Sequence, residues 1–306
     1  MTGPVAAVDC GTNSVRLLVT EHGHDLVRTM RIVRLGQGVD RTGRLDPAAI
    51  ERTRVALAEY AGTLRDLGVT AARMVATSAT RDAANRDDFV AMVRATLDIE
   101  PEVVTGDEEA RLSYAGATAG VEVDYPVLVA DIGGGSTELV LGDMPGRAGV
   151  RAARSVDVGC VRLTERRLHS DPPTAGEVAA ARADIAAVLD SVAIGSDPVP
   201  VREASAYVGL AGSVTTVVAH ALRLPHYDAE RIHGARVAAA DVQDACAELL
   251  AMTRAQRAAL PFMHPGRVDV IGGGALVVSA VLTASGCDAM IASEHDILDG
   301  IAASLA

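Results

Sequence analysis

VADIGGGSTELVLG, Val129 to Gly142, has a counterpart near the start of the chain in AAVDCGTNSVRLLV, Ala6 to Val19. Laid over each other, Asp9 meets Asp131, Gly11 meets Gly133 and Ser14 meets Ser136. Each copy reads as an apolar run, Asp-x-Gly-x-x-Ser, and a second apolar run. The flanks are short and rich in β-branched residues, so each copy is expected to be a strand, a glycine turn and a second strand rather than a helix. Glycines in such a turn let backbone N–H groups point at one place, which makes a concavity for an anion, and the following Ser hydroxyl adds a donor. An Asp at the end of the first strand repels phosphate but can hold a divalent cation that binds it. A lone copy would usually be only a turn. Two copies imply two related lobes facing each other across a phosphate.

The length, 306 residues, suits two domains of ordinary size, and with 49% hydrophobic residues both can form cores. Aromatics make up only 2% and Trp is absent, so those cores must be built from Ala, Val, Leu and Ile. All 28 basic residues are Arg. The lack of Lys excludes a Walker-type Lys, a Schiff base and any mechanism that needs an ammonium group. Cys10, Cys160, Cys246 and Cys287 are scattered without metal or redox spacing, which fits small core residues in a reducing cytoplasm. No basic segment precedes the first apolar run and no apolar stretch reaches membrane-spanning length, so a cytoplasmic protein without a membrane partner is expected. A formal charge of -12 argues against nucleic acid. Between Arg28 and Arg44, however, lie Arg28, Arg31, Arg34, Arg41 and Arg44 against one acid, Asp40. That run reads either as a solvated strand face or as a rail for a polyanion.

Strand and helix signals alternate along the chain, as in α/β proteins. After the first hairpin, MRIVRLGQGV continues as strand and turn. Asp46 and Pro47 mark the start of a helix that ends by Gly68. A strand at Met74 to Ala76 runs into a polar loop, Asn85 caps a helix through Leu97, and a strand at Glu102 to Thr105 leads to a helix opening on Asp107, Glu108 and Glu109. The composition breaks at GVEVDYP, which places the expected boundary between a lobe of residues 1–122 and a lobe of residues 123–306. Beyond the second hairpin, a strand, turn and short helix are expected over Arg147 to Arg167, then an Ala-rich helix from about Glu177 to Val192. YVGLAGSVTTVVAHAL and VDVIGGGALVVSAVLTA then read as strand-to-helix turns. Such turns present helix N–H groups to an anion or simply allow close packing.

The motifs taken together resemble the exopolyphosphatase and guanosine pentaphosphate phosphohydrolase family of the actin-like and sugar-kinase-like superfamily. They are, besides the two hairpins, ATSATRDAAN (76–85), TGDEEARLSYAGA (105–117), VDVGCVRLTERRL (156–168), GLAGSVTTVVA (209–219) and SEHDILDGI (293–301). The resemblance covers nearly the whole chain, with the motifs in the family's order. It implies an α/β protein of two ribonuclease-H-like lobes with an interdomain cleft. It implies that Glu109 orients or deprotonates the attacking water, that Asp9, Asp131 and Glu138 stand beside the metal and the terminal phosphoryl group, and that Arg81 clamps phosphate. Gly11, Thr12, Asn13 and Ser14, with Gly133, Gly134, Gly135, Ser136 and Thr137, would cradle phosphate, and Gly212 and Ser213 extend that set. Longer members carry an extra C-terminal helical domain that helps grip long polyphosphate, whereas this sequence stops after SEHDILDGIAASLA.

Phosphoanhydride hydrolysis needs an in-line water, a group to orient it and positive charge on the phosphoryl oxygens. Without Lys, that charge must come from a metal, Arg and backbone N–H groups. Carboxylates favour magnesium, a hard cation with oxygen ligands. From its position alone Glu109 is equally a helix-start acid, favoured by the dipole. The eight His have no metal-ligand spacing, and no Ser-His-Asp or Cys-His set offers a covalent nucleophile. The expected activity is magnesium-dependent removal of terminal phosphate from inorganic polyphosphate, with guanosine pentaphosphate as alternative substrate and a homodimer as a candidate assembly. A small-molecule kinase of the same superfamily and an actin-like nucleotide-dependent scaffold are the competing readings.

Overall fold

The computed structural model of the chain describes residues 3–194 and 197–305. It divides into two compact units, Met1–Gly116 with Ile297–Ala306, and Ala117–Asp296.

In the first unit, strands β1 (Val5–Cys10), β2 (Ser14–Glu21) and β3 (His24–Ile32) form an antiparallel meander. The chain then passes through a short helix, α1 (Val39–Thr42), to α2 (Pro47–Asp66) and β4 (Ala71–Ala76). A single turn, α3 (Ser78–Arg81), precedes α4 (Arg86–Leu97), β5 (Pro101–Val103) and α5 (Gly106–Ala119). The sheet order is β3-β2-β1-β4-β5, with β4 and β5 parallel to β1, which is the ribonuclease-H-like arrangement. Asp46 accepts a hydrogen bond from the Ala48 amide at 2.8 Å and caps α2 as its sequence predicts. Asn85 does not cap α4. Its amide binds both backbone groups of Leu45 instead, tying the loop before α2 to the start of α4.

Alternation along β1 explains how both faces of this sheet are filled. Ala6, Val8 and Cys10 face a core with Leu57, Tyr60 and Phe89, while Ala7 faces Leu112, Ile297, Leu298 and Ile301 on the other side. The second cover comes from the last helix of the chain, α13 (Ile297–Ala303). Residues 297–306 therefore belong to the first unit, not to a lobe running from 123 to the end, and the division falls at 116/117 rather than 122/123. The physical reason is burial: Ile297, Leu298 and Ile301 are apolar and find their partners on β1 and β2. Gly300 permits the contact, because a Cβ there would lie 2.0 Å from the Leu112 carbonyl oxygen on α5.

The second unit repeats the plan. Strands β6 (Val127–Ile132), β7 (Thr137–Gly142) and β8 (Val150–Val156) form the meander, followed by helices α6 (Cys160–Arg167) and α7 (Ala175–Ile194). Next come β9 (Ala206–Leu210), α8 (Ala211–Ala221), the short α9 (Ala229–Ile232) and β10 (Arg236–Ala238). Helices α10 (Ala239–Ala251), α11 (Arg254–Ala258) and α12 (Ile271–Ser285) lead to β11 (Ala289–Ala292). The order β8-β7-β6-β9-β11 matches that of the first sheet, with β10 added antiparallel at the edge. Its core is aliphatic, with Leu128, Leu139, Val217, Leu249, Val277 and Leu282 at its centre. Among the described residues, no helix is long and apolar enough to cross a membrane.

Candidate active site

The two sequence copies become the β1–β2 and β6–β7 hairpins. Each turn is closed in the same way: the Gly11 amide donates to the Ser14 carbonyl at 3.0 Å, and the Gly133 amide to the Ser136 carbonyl at 3.1 Å. Pairing around the turns sets the chemistry. Residues seven apart in the sequence stand opposite each other, so Asp9 faces Arg16 and Asp131 faces Glu138. The same place in the repeat thus holds a guanidinium in one unit and a carboxylate in the other.

Asp9 is buried and its Oδ2 accepts from Arg16 Nε at 2.9 Å and Nη2 at 2.8 Å. Asp131 and Glu138 are buried as well, and Ser155, opposite Glu138 on β8, donates to Glu138 Oε1 at 2.7 Å. Two carboxylates side by side on one face of a hairpin repel each other, and a cation between them removes that cost. Among the described residues, no group of three or more His, Cys, Asp or Glu side chains is gathered as a metal site. Of the expected trio of Asp9, Asp131 and Glu138, the last two are cross-strand partners within one hairpin. Two carboxylates supply hard oxygen ligands for a divalent cation.

Glu109 lies in the first turn of α5 and is buried. Arg81, at the end of α3, donates from Nη1 to Glu109 Oε2 at 2.9 Å and to the Val104 carbonyl at 3.1 Å. Two site residues 28 positions apart in sequence are thereby joined by a charge-assisted hydrogen bond. The neighbouring acids turn elsewhere: Asp107 accepts from Arg111, and Glu108 lies 3.5 Å from Arg73.

The hydroxyls of the two turns are partly committed. Thr12 and Ser78 share a hydrogen bond at 3.0 Å, and Thr137 donates to the Val158 carbonyl at 2.6 Å. Gly212 and Ser213 open α8, but their surroundings are crowded. A Cβ at Gly212 would lie 1.5 Å from the Arg267 guanidinium carbon, and one at Gly274 would lie 2.4 Å from Ser213 Oγ. Gly212 is thus what allows Arg267 to cover this turn. Arg16 and Arg267 are two polar residues beside these turns that the motifs do not single out. The seven-residue spacing around the repeated turn was the signal for the first, and nothing local marked the second.

The arginine run is less free than its sequence indicates. Arg28 binds Asp25 and Asp299, the latter on α13, and Arg31 binds Glu59. Burial works against the charge on Arg28, but its two partners, Asp299 and Asp25, outweigh it and hold the proton more firmly than usual. Arg34 adopts a left-handed backbone, φ 51°, and its amide donates to the Asn13 carbonyl at 2.9 Å. Arg41 and Arg44 remain exposed.

Burial, with Asp9 adding to it, holds the Cys10 thiol well above its ordinary value, and burial pushes Cys246 up to about 12. His220 is buried on α8 against Glu248, its pKa lowered mainly by desolvation. His233 bridges the Gly120 carbonyl and the Glu294 amide.

Known proteins resemble this chain over nearly its whole length. The Ppx/GppA phosphatase family profile matches residues 16–306. Exopolyphosphatase 2 of Mycobacterium tuberculosis is 51% identical over 320 aligned positions, covering 99% of this chain and 98% of that protein. The crystal structure of an exopolyphosphatase-like protein superposes with a TM-score of 0.94 at 41% identity, covering 99% of this chain and 98% of the other. The Aquifex aeolicus PPX-GPPA enzyme superposes with a TM-score of 0.80 at 30% identity, covering 99% of both.

Proposed function

Because the chain belongs to the Ppx/GppA phosphatase family, we propose that it is an exopolyphosphatase, removing terminal phosphate from inorganic polyphosphate with magnesium, and that guanosine pentaphosphate is its alternative substrate. The observation that carries this reading is the buried Asp131–Glu138 pair, set across the hairpin whose turn is the glycine loop 133–136. A hard divalent cation on these oxygens would supply the charge that phosphoryl transfer requires and that the chain, having no Lys, lacks in ammonium form. Asp9, already bonded twice by Arg16, is the weaker ligand.

The remaining roles fall to the chain's own groups. Glu109 orients the attacking water, its carboxylate held in place by Arg81. Arg81 also brings a positive charge to the phosphoryl oxygens. The amides of residues 12–14 and 134–136 receive phosphate oxygens, as backbone concavities do, those of Gly11 and Gly133 being used to close the turns. Polyphosphate and guanosine pentaphosphate end alike in a phosphoanhydride-linked terminal phosphate, which is why one such arrangement serves either.

The test is phosphate release from long polyphosphate, short polyphosphate and guanosine pentaphosphate in parallel, with magnesium and no added acceptor. Release from polyphosphate supports the reading. Strict dependence on an acceptor hydroxyl would make the protein a kinase instead, and no release from any of the three would end the phosphohydrolase reading.

A further inference from the structure

Three successive carbonyls of the second glycine loop are turned toward one neighbour. The Gly133 carbonyl accepts from the Cys160 amide at 2.9 Å, and the Gly134 carbonyl accepts from the amides of Val161 at 2.9 Å and Arg162 at 3.1 Å. The third, Gly135, has its carbonyl bound by a side chain: Arg162 Nε donates to it at 2.7 Å. In a trans peptide the carbonyl of one residue and the N–H of the next point in opposite directions. Pinning the carbonyls of Gly133, Gly134 and Gly135 therefore turns the N–H groups of Gly134, Gly135 and Ser136 to the opposite side, where they form one concave donor set. The fit behind the loop is tight. A Cβ at Gly159 would lie 2.5 Å from the Gly134 carbonyl oxygen and 2.8 Å from that of Gly133.

The first unit reaches the same result with backbone alone. There the Thr12 carbonyl accepts from the Gly36 amide at 2.8 Å, and the Asn13 carbonyl accepts from the amides of Val33 and Arg34 at 3.1 and 2.9 Å. In the repeat Asn13 aligns with Gly135, so a guanidinium in the second unit does what two amides do in the first.

We infer that Arg162 is a positioning residue for phosphate binding: by holding the Gly135 carbonyl it aims the Ser136 N–H at the anion. The inference rests on the loop's assignment as a phosphate cradle. It goes beyond that assignment in naming the side chain that pre-orients it. Arg162 touches no reacting atom in this role. Its side chain is 12% exposed, and its 3.9 Å contact with the exposed Asp157 is a weak surface pair.

The experiment follows the amide resonances of the full chain during titration with inorganic phosphate in the presence of magnesium, for the wild type and for R162M, with steady-state hydrolysis of polyphosphate measured alongside. In the wild type, the amides of Gly134, Gly135 and Ser136 shift together. In R162M the Ser136 response is lost while those of Gly134 and Gly135 persist, and kcat falls on the order of 10²-fold, the loss that accompanies removal of one such donor, with KM changing less. R162K, which keeps a donor, restores part of both. A Ser136 response in R162M equal to that of the wild type overturns the inference. So does a wild type that hydrolyses polyphosphate with none of the three amides moved by phosphate, and in that case the proposed function stands. Amides that respond as described in a wild type that hydrolyses nothing support the inference and count against the proposed function. If R162M does not fold, R162Q is measured in the same way.

Discussion

Replacing Glu109 by Gln separates a catalytic role from a structural one by magnitude. The glutamine keeps an oxygen that can accept from Arg81 Nη1, now at 2.9 Å from Glu109 Oε2, but the acceptor is neutral and only the donor's charge assists the bond. Hydrogen bonds to charged groups are worth about 1.5–3 kcal/mol, and this one moves toward the lower end of that range, so the stability loss should be about 1 kcal/mol. For chains of this size that is a fall of roughly 2–4 °C in melting temperature. Loss of a group that orients or deprotonates water lowers the rate on the order of 10² to 10⁴, which is about 3–5 kcal/mol of barrier at about 1.36 kcal/mol per decade. The two effects differ enough to be told apart in one set of preparations. Glu108→Gln is the control, since Glu108 is adjacent in sequence and lies 3.5 Å from Arg73. Phosphate release, polyphosphate affinity and melting temperature should be recorded for both variants. Glu109→Gln should retain binding and lose turnover, while Glu108→Gln should retain both. A Glu109→Gln enzyme within a few-fold of wild-type kcat would refute the assigned role and leave Glu109 as the ion-pair partner of Arg81.

Arg41 and Arg44 are exposed and, among the described residues, no ion pair engages them, whereas Arg31 is already matched by Glu59. The R41A/R44A double variant should therefore weaken binding of long polyphosphate more than short and flatten its salt dependence, with R31A having the smaller effect; equal losses for both lengths would make these arginines a solvated face. Gly300→Ala should destabilise the first unit through overpacking against Leu112 by about 1–3 kcal/mol, offset in part by the roughly 0.5–1 kcal/mol that Ala gains over Gly inside a helix, read as a lower denaturation midpoint. His220 has its pKa lowered from 6.5, chiefly by burial, so the unfolded chain binds its proton more readily than the folded one. Its contribution to stability is present above pH 6.5 and is lost as pH falls below that value; H220N should remove this part of the acid sensitivity in unfolding curves taken across the range.

The sequence made the fold readable because the hairpin is a local object. Strand periodicity, a glycine turn and the flanking apolar runs all lie within fourteen residues, and the duplication doubled the signal. Helix α2 was equally plain from Asp46 and Pro47. What the sequence did not disclose were pairings made in three dimensions. Helix α13 packs on β1 and β2 from the far end of the chain, and no local pattern distinguishes that destination from the nearer β11. The Arg81–Glu109 bond links two motifs that were each visible but not visibly joined. Asn85 sits at the start of α4 as a cap would, yet a tertiary partner, Leu45, takes its side chain. The contrast between Asp9–Arg16 and Asp131–Glu138 lay within reach of the sequence, since antiparallel pairing around equal turns fixes which residues stand opposite.

That contrast also provides the most direct test of the proposed chemistry. Rates of phosphate release from polyphosphate should be measured against magnesium concentration for the wild type, Asp131→Asn and Glu138→Gln, with Asp9→Asn beside them. If the Asp131–Glu138 pair holds the cation, the first two variants should need far more magnesium for half-maximal rate and fall well below the wild type at saturation, with Asp9→Asn less affected in its magnesium requirement. Magnesium curves for Asp131→Asn and Glu138→Gln that superpose on the wild type after scaling for rate, or a wild type fully active with all divalent cations chelated, would contradict the account.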